Sequence, residues 1–445
     1  MPEIASPSAS TLTPAKTARQ RTDTLTSIWM IIAVAMAIVT LVVKNRMPQP
    51  LWTMIHLVTL GVLSNGIFQW SWFFARSLAR LPADDPRARR HNTIRILIFN
   101  ACFLLLFVSM WLGWMVGTMI AATGIAAVAA WHGAEMLSVL RERLASRFVI
   151  VVRYYVCSAS FFVLAALLAS FVSATMFSPS IPEAVVAMRD RLTLAHALSG
   201  VAGWVGLTIG GTVITLGPTI LRTRMSSDAV SWGVRVLLPW CLSLLLAIAG
   251  ALLGVMPLVG AGILAVGTCA IVGIVYPYAK VLRNKGPREY SAWSFLLGLL
   301  WISVGVCALG VASLFVSTPS QLRALTLMWL PIIGIAGFAQ LFQGALSYLM
   351  PVVIGGGPSV VRIGIAIIDW QYSLRLGLRN SALILELFLF FTSEIPSVHV
   401  LRMAGWFLVI ATFVIDVVIY AKTGVTQARA RRARSETLSE SRQVQ

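Results

Sequence analysis

The chain has 445 residues, of which 58% are hydrophobic and only 11% charged, and its mean hydropathy is +0.84. Water-soluble domains carry charge on about a quarter of their residues, so a soluble fold is excluded, and apolar runs of about twenty residues between short basic segments mean transmembrane helices. The net charge of +19 then belongs to loops that orient helices, not to a nucleic-acid surface; the first partner expected is a lipid bilayer, with no nucleic acid.

The expected fold class is all-α, a polytopic integral membrane protein of about twelve transmembrane helices with both termini cytoplasmic. Residues 1–24, rich in Ser, Thr, Pro and Ala, read as a disordered N-terminal tail, and 25–421 as the twelve-helix membrane domain. The apolar run from Leu25 lacks a small-residue cleavage site and reads as a retained first helix, not a signal peptide. The spans fall near 25–43, 51–75, 94–112, 115–138, 149–175, 192–220, 230–253, 256–279, 292–316, 324–350, 380–394 and 401–421. The eleventh is the shortest, and the amphipathic segment Ile365 to Asn380 before it is able to fuse with it into one long helix.

Alternate loops set the orientation. Arg76, Arg80, Arg87, Arg89 and Arg90, then Arg141 and Arg143, then Arg222 and Arg224, then Lys280, Arg283, Lys285 and Arg288 lie on one side, with the basic ends of the chain. The opposite loops hold few, such as Lys44, Arg46, Arg189 and Arg402, so the first side is expected to be cytoplasmic; the expected location is the plasma membrane. Residues 422–445 form a basic, then Ser/Glu-rich cytoplasmic tail, expected to be disordered from Ala428 and able to touch anionic lipid.

Cys102, Cys157, Cys241, Cys269 and Cys307 all sit in apolar runs without metal spacing and read as small buried core residues. Gly355, Gly356 and Gly357, between Pro351 and Pro358, lack the strand–helix setting and GK[ST] ending of a phosphate loop and read as a turn. Gly203, Gly206, Gly210 and Gly211 give the sixth span a face on which another helix backbone lies close.

Ionisable side chains inside a span are expensive and mark function. His56 lies early in the second span and His196 early in the sixth; the topology puts both near the outer face at similar depth, and His399 precedes the last span on that side. Three imidazoles at one level form a ligand set for haem or copper; the competing reading is that each caps a backbone or bonds a neighbouring helix. His132 and Glu135, one turn apart in the fourth span, read as a satisfied pair or a proton relay, and His91 as solvated. Glu386 needs a partner or a proton in the eleventh span, and Asp416 in the last is within reach of Arg375 or Arg379. Trp70 and Trp72 with Arg76 read as a cytoplasmic interface anchor.

Three stretches carry a family resemblance: HLVTLGVLSNGIFQWSWFFARSL from His56, AHALSGVAGWVGLTIGGTVITLGPTILRTRM from Ala195, and GALSYLMPVVIGGGPSVVR from Gly344. They resemble the polytopic membrane domain of actinobacterial copper-oxidase-like proteins and, more distantly, NnrS-type membrane proteins and haem–copper oxidase subunit I. The resemblance implies His56 as a haem-iron ligand, His196 as a copper or haem ligand, and a respiratory or cupredoxin-type partner. The sequence departs from the oxidases: the sixth span has no histidine followed by Pro-Glu, the seventh no His-His pair, and the tenth has Gln340 and Gln343 in place of His-x-His. An oxygen-reducing centre is therefore not expected, and whether the chain is an enzyme stays open.

The reading that follows is a membrane protein binding haem b, copper or both, in respiratory, nitrosative-stress or copper handling. The alternatives are a proton-coupled secondary transporter using Glu386 and Asp416, and a cofactor-free assembly subunit, with homo-oligomerisation open in each case.

Overall fold

The computed structural model describes residues 28–36, 38–40, 43, 46–47, 49–82, 84–143, 148–177, 182–390 and 396–443; the expected tail at 1–24 lies outside them. Among the described residues there are helices and connecting turns and no strand. Ten helices among the described residues are long and apolar enough to cross a membrane. They are α2 (Pro50–Leu78), α3 (Arg87–Leu112), α4 (Met115–Glu142), α5 (Val149–Phe177), α6 (Met188–Ile220), α7 (Ala229–Leu253), α8 (Met256–Asn284), α9 (Tyr290–Ser313), α10 (Pro319–Ile354) and the apolar part of α13 (Pro396–Gln443). Three shorter helices complete the set: α1 (Ile28–Thr40), α11 (Pro358–Ile368) and α12 (Tyr372–Phe390). The ten fall on ten of the twelve expected spans. The remaining two correspond to α1 and to α12, where Arg375, Arg379, Asn380 and Glu386 dilute the apolar run.

Local chemistry sets the boundaries. Pro50 opens α2, where its missing N–H belongs to a helix end. Gly113 closes α3 in the left-handed region at φ +66°. The amphipathic segment at 365–380 fuses with the eleventh span in part: residues 372–380 run on into it as α12, while 365–368 belong to α11, which stops at Ile368 before Gln371 takes φ +48°. Asp369 in this turn accepts the backbone N–H of Tyr290 at 2.8 Å, which caps the start of α9.

The chain divides into two compact units. Unit 1 comprises Met1–Val213, Val230–Cys269 and Ser313–Arg323; unit 2 comprises Ile214–Ala229, Ala270–Ala312 and Ala324–Gln445. In unit 1, α4, α5 and α6 pack closely because small residues face bulky ones. A Cβ on Gly203 would stand 2.5 Å from Phe161 Cβ, and one on Gly211 2.6 Å from Tyr154 Cβ. Gly206 does not share this role: its side faces only the backbone of Val201. In unit 2, α12 lies along α13, with Ala382, Leu383 and Val409 packed on Ile332 and Ala336, and Leu376, Ile419 and Tyr420 packed on Tyr290 and Ile368.

Three expectations change. The end of the chain is not structureless: α13 continues through Gln443. Gln427 on this helix is fully buried and donates to the carbonyls of Pro351 (2.7 Å) and Gly355 (3.2 Å). Arg431 donates to Ile354 O, and Arg434 to Gly356 O and Ser359 Oγ. These bonds hold the triple-glycine turn, whose three glycines all have positive φ (71°, 100° and 87°), a path open to glycine without steric cost. Trp72 is not an interface anchor; it is 1% exposed, with the Arg95 guanidinium over its ring. The five cysteines are half-buried, not core residues.

Candidate functional site: a paired-imidazole centre in unit 1

His56 and His196 come together. Their ring centroids are 6.1 Å apart and the ring planes differ by 15°. His56 Nδ1 lies 2.9 Å from the carbonyl of Trp52, four residues back, and His196 Nδ1 lies 2.8 Å from the carbonyl of Ala165 on α5. A carbonyl only accepts, so each Nδ1 carries the proton and each Nε2 presents a lone pair. This is the arrangement of a metal-binding histidine, whose second ring nitrogen is fixed by a hydrogen bond. Trp52 also stacks on His56 at 4.3 Å and fixes the plane of its ring.

The helices carrying the two histidines share a local irregularity. α2 turns π-helical over Leu57–Ser64, immediately after His56, and α6 over Leu198–Gly206, two residues after His196. Such turns shift bonding from i+4 to i+5, leave carbonyls off the regular ladder, and are frequent at functional sites. Side chains take up the displaced carbonyls in α2: Ser64 Oγ donates to Thr59 O, and Asn65 Nδ2 to Gly61 O. The two π segments are tied to each other where Trp204 Nε1 donates to Ser64 Oγ at 2.9 Å. Trp204 in turn lies flat on Phe162 of α5, with centroids 4.6 Å apart. The register of α2 against α6, and with it the facing of the histidines, is thus set by a buried hydrogen bond and a stack.

The donor set fits a metal that imidazole suits. A metal–nitrogen bond of about 2 Å on each side, plus the two ring radii, puts the centroids of imidazoles sharing one ion roughly 5–6.5 Å apart, a range that contains the observed spacing. His399 lies in unit 2, exposed on α13. Among the described residues no three His, Cys, Asp or Glu side chains gather as a metal group.

The other singled-out residues of unit 1 go elsewhere. Glu135 turns away from His132 to accept from Arg95, from His91 Nδ1 (2.7 Å) and from Trp131 Nε1 (2.9 Å). His91 is therefore paired, not merely solvated. His132 is fully buried, 3.4 Å from Ser71 Oγ through Nε2, among the ring edges of Phe68, Trp72 and Trp204. Arg95, which the sequence reading passed over, is fully buried between the rings of Trp72 and Trp131. Its signal was the spacing of Arg95 and Asn92 on the inner face of α3, hidden by the arginines of the preceding loop.

In unit 2, Asp416 meets both Arg375 and Arg379. Tyr290 OH donates to Asp416 (2.6 Å), with its oxygen 3.1 Å from Gln343 Oε1, which accepts from Arg379. Gln340 exchanges hydrogen bonds with Asn380 at 3.2 Å in both directions. Gln340 and Gln343 are thus structural partners in a polar core. Glu386 is 2% exposed and accepts from Arg402 Nε at 3.3 Å.

The chain matches no family model and no curated protein.

Proposed function

We propose that the chain is a multi-pass plasma-membrane protein whose His56–His196 pair holds copper or haem iron through the two Nε2 atoms, in respiratory, nitrosative-stress or copper handling. The observation that carries this reading is the fixed tautomer: both Nδ1 atoms are bonded to backbone carbonyls, so both outward nitrogens are lone-pair donors. Bound there, the metal supplies one-electron redox chemistry. The residues do the rest: Trp52 O and Ala165 O orient the imidazoles, Trp52 fixes a ring plane, and the Ser64–Trp204 bond keeps the two helices in register. Both histidines are half-buried on α2 and α6. The resemblance of the stretches around His56 and His196 to copper-oxidase-like membrane domains supports the same assignment.

The topology proposed with it has twelve spans, α1 and α12 included, and both termini in the cytoplasm. The lopsided distribution of Lys and Arg between alternate loops supports it.

The test is metal analysis and the visible spectrum of protein produced with haem and copper supplied. Stoichiometric copper, or a Soret band, is expected in the wild type and in His399→Ala, and its loss in His56→Ala and in His196→Ala. A wild-type protein free of both metals, or single variants that keep full occupancy, would sink the assignment.

A further inference from the structure

Unit 2 contains a half-open pocket of about 280 Å³ lined by Leu327, Met328, Pro331, Ile332, Trp406 and the Glu386–Arg402 pair. Its wall is apolar apart from that one pair. Glu386 is 2% exposed; its Oε2 accepts from Arg402, and its Oε1 makes no hydrogen bond of good geometry among the described residues, the Trp406 indole approaching the carboxyl without closing one on that oxygen. A buried carboxylate oxygen without a donor costs on the order of 1–3 kcal/mol, and the fold maintains this one. Gly405 makes the room: a Cβ there would stand 2.7 Å from Glu386 Oε1. Pro331 and Ile332 lie where α10 passes from α-helix into the π segment Ile332–Ala339. The cavity thus sits at the same kind of helix irregularity as the two histidines.

We propose that this cavity binds a small neutral aromatic carrying a hydroxyl, of the phenol or hydroquinone class, with that hydroxyl donating to Glu386 Oε1. Three observations define the class. The orphan is an acceptor, so the ligand brings a donor. Arg402 already balances the carboxylate, so a neutral donor adds no charge to an apolar site, whereas an ammonium would leave one uncompensated. The volume equals the share of about nine waters in the liquid and fits one ring with small substituents, with the indole of Trp406 on the wall as an aromatic surface.

The test is calorimetric titration of the full-length, detergent-solubilised protein with 2,5-dimethylhydroquinone and with its dimethyl ether. Saturable binding of the hydroquinone is expected, with the ether at least about tenfold weaker because it leaves Glu386 Oε1 without a donor. Micelle partition favours the ether and cannot create this preference. Glu386→Leu is expected to abolish the preference, and Gly405→Ala to weaken the hydroquinone by crowding the same oxygen. His56→Ala and His196→Ala bind it unchanged, so the cavity stands or falls separately from the metal assignment. Equal binding of the two compounds, tighter binding of a benzylamine than of the hydroquinone, or no saturable binding to the wild type would each overturn the proposal.

Discussion

The most heavily constrained side chain in unit 2 is Asp416. It is fully buried and faces two arginines, Arg375 at 4% and Arg379 at 0% exposure. Two cations against one carboxylate leave a positive charge to be accommodated away from water. Arg375 sends its remaining donors to Ile368 O and to Trp370 O (3.0 Å), at the negative end of α11, and lies 4.6 Å from the Tyr290 ring. Arg379 lies over the Phe413 ring at 3.9 Å and donates to Thr412 Oγ1. Every charge has a partner, so removing one exposes the others. Asp416→Asn leaves two guanidinium groups without their counter-ion and is expected to destabilise the protein by about 3–5 kcal/mol. A thermal melt of the solubilised protein reads this directly, and an unchanged midpoint would show that the knot is not what holds α12 on α13. The Glu386–Arg402 pair, at 3.3 Å with Arg402 partly exposed, is a weaker member of the same helix pair.

Among the elements, α5 against α6 is the contact on which the histidine pair depends. Gly203 lets Phe161 approach to a distance at which any side chain collides, and it stands inside the π segment that follows His196. Gly203→Val pushes α6 away from α5, costs about 1–3 kcal/mol as overpacking, and separates His196 Nδ1 from Ala165 O. The expected result is a lower melting temperature together with reduced metal occupancy; occupancy unchanged at a lowered midpoint would uncouple the helix contact from the site. The sequence carried much of this frame. Apolar length placed ten spans, the spacing of glycines marked the tight face of α6, and depth along α2 and α6 put His56 and His196 at one level. The π turns were not legible, because α and π bonding use the same residues and the choice rests on tertiary partners such as Trp204 on Ser64. Nor was the orphaned oxygen of Glu386, since a single sequence does not show which neighbour fails to bring a donor. The tail was misread because its composition is that of a solvated segment, while its order comes from backbone carbonyls more than seventy residues earlier.

For the whole molecule, the loops that face water carry the pH dependence. Asp228 accepts from Lys280 Nζ at 2.6 Å and from Ser226, and these bonds hold its carboxyl down to about 2. Asp85 is likewise held below its usual range by the Arg87 guanidinium. A carboxylate with a lowered folded pKa adds stability above its unfolded value of about 3.9, and that contribution disappears as pH falls toward the folded value. Asp369 has the opposite sign: burial raises its pKa, partly offset by the Tyr290 N–H, so its ionisation subtracts from stability above the unfolded value and that cost is relieved as pH falls. In melts from pH 5 down to pH 2.5, the wild type is expected to lose stability on the acid side, and Asp228→Asn to lose less because it has no proton to gain. An acid limb of identical slope in the two proteins would assign the loss to other groups.

The long helix α13 also changes how the positive end of the chain acts at a membrane. A flexible basic tail spreads over anionic headgroups and gains about 1 kcal/mol per Lys or Arg near the surface. Arg431 and Arg434 stay exposed but are not free to spread, because the Nη1 of each is tied to Ile354 O or to Gly356 O and Ser359 Oγ. Their charge is held at the exit turn of α10 by helical backbone rising about 1.5 Å per residue. Attraction between leaflet and tail then becomes attraction between leaflet and a whole folded unit, strong only where that turn meets the headgroups and screened by salt beyond about 8 Å. What composition presents as a loose adhesive is, in the folded chain, a fastening to the exit turn of α10.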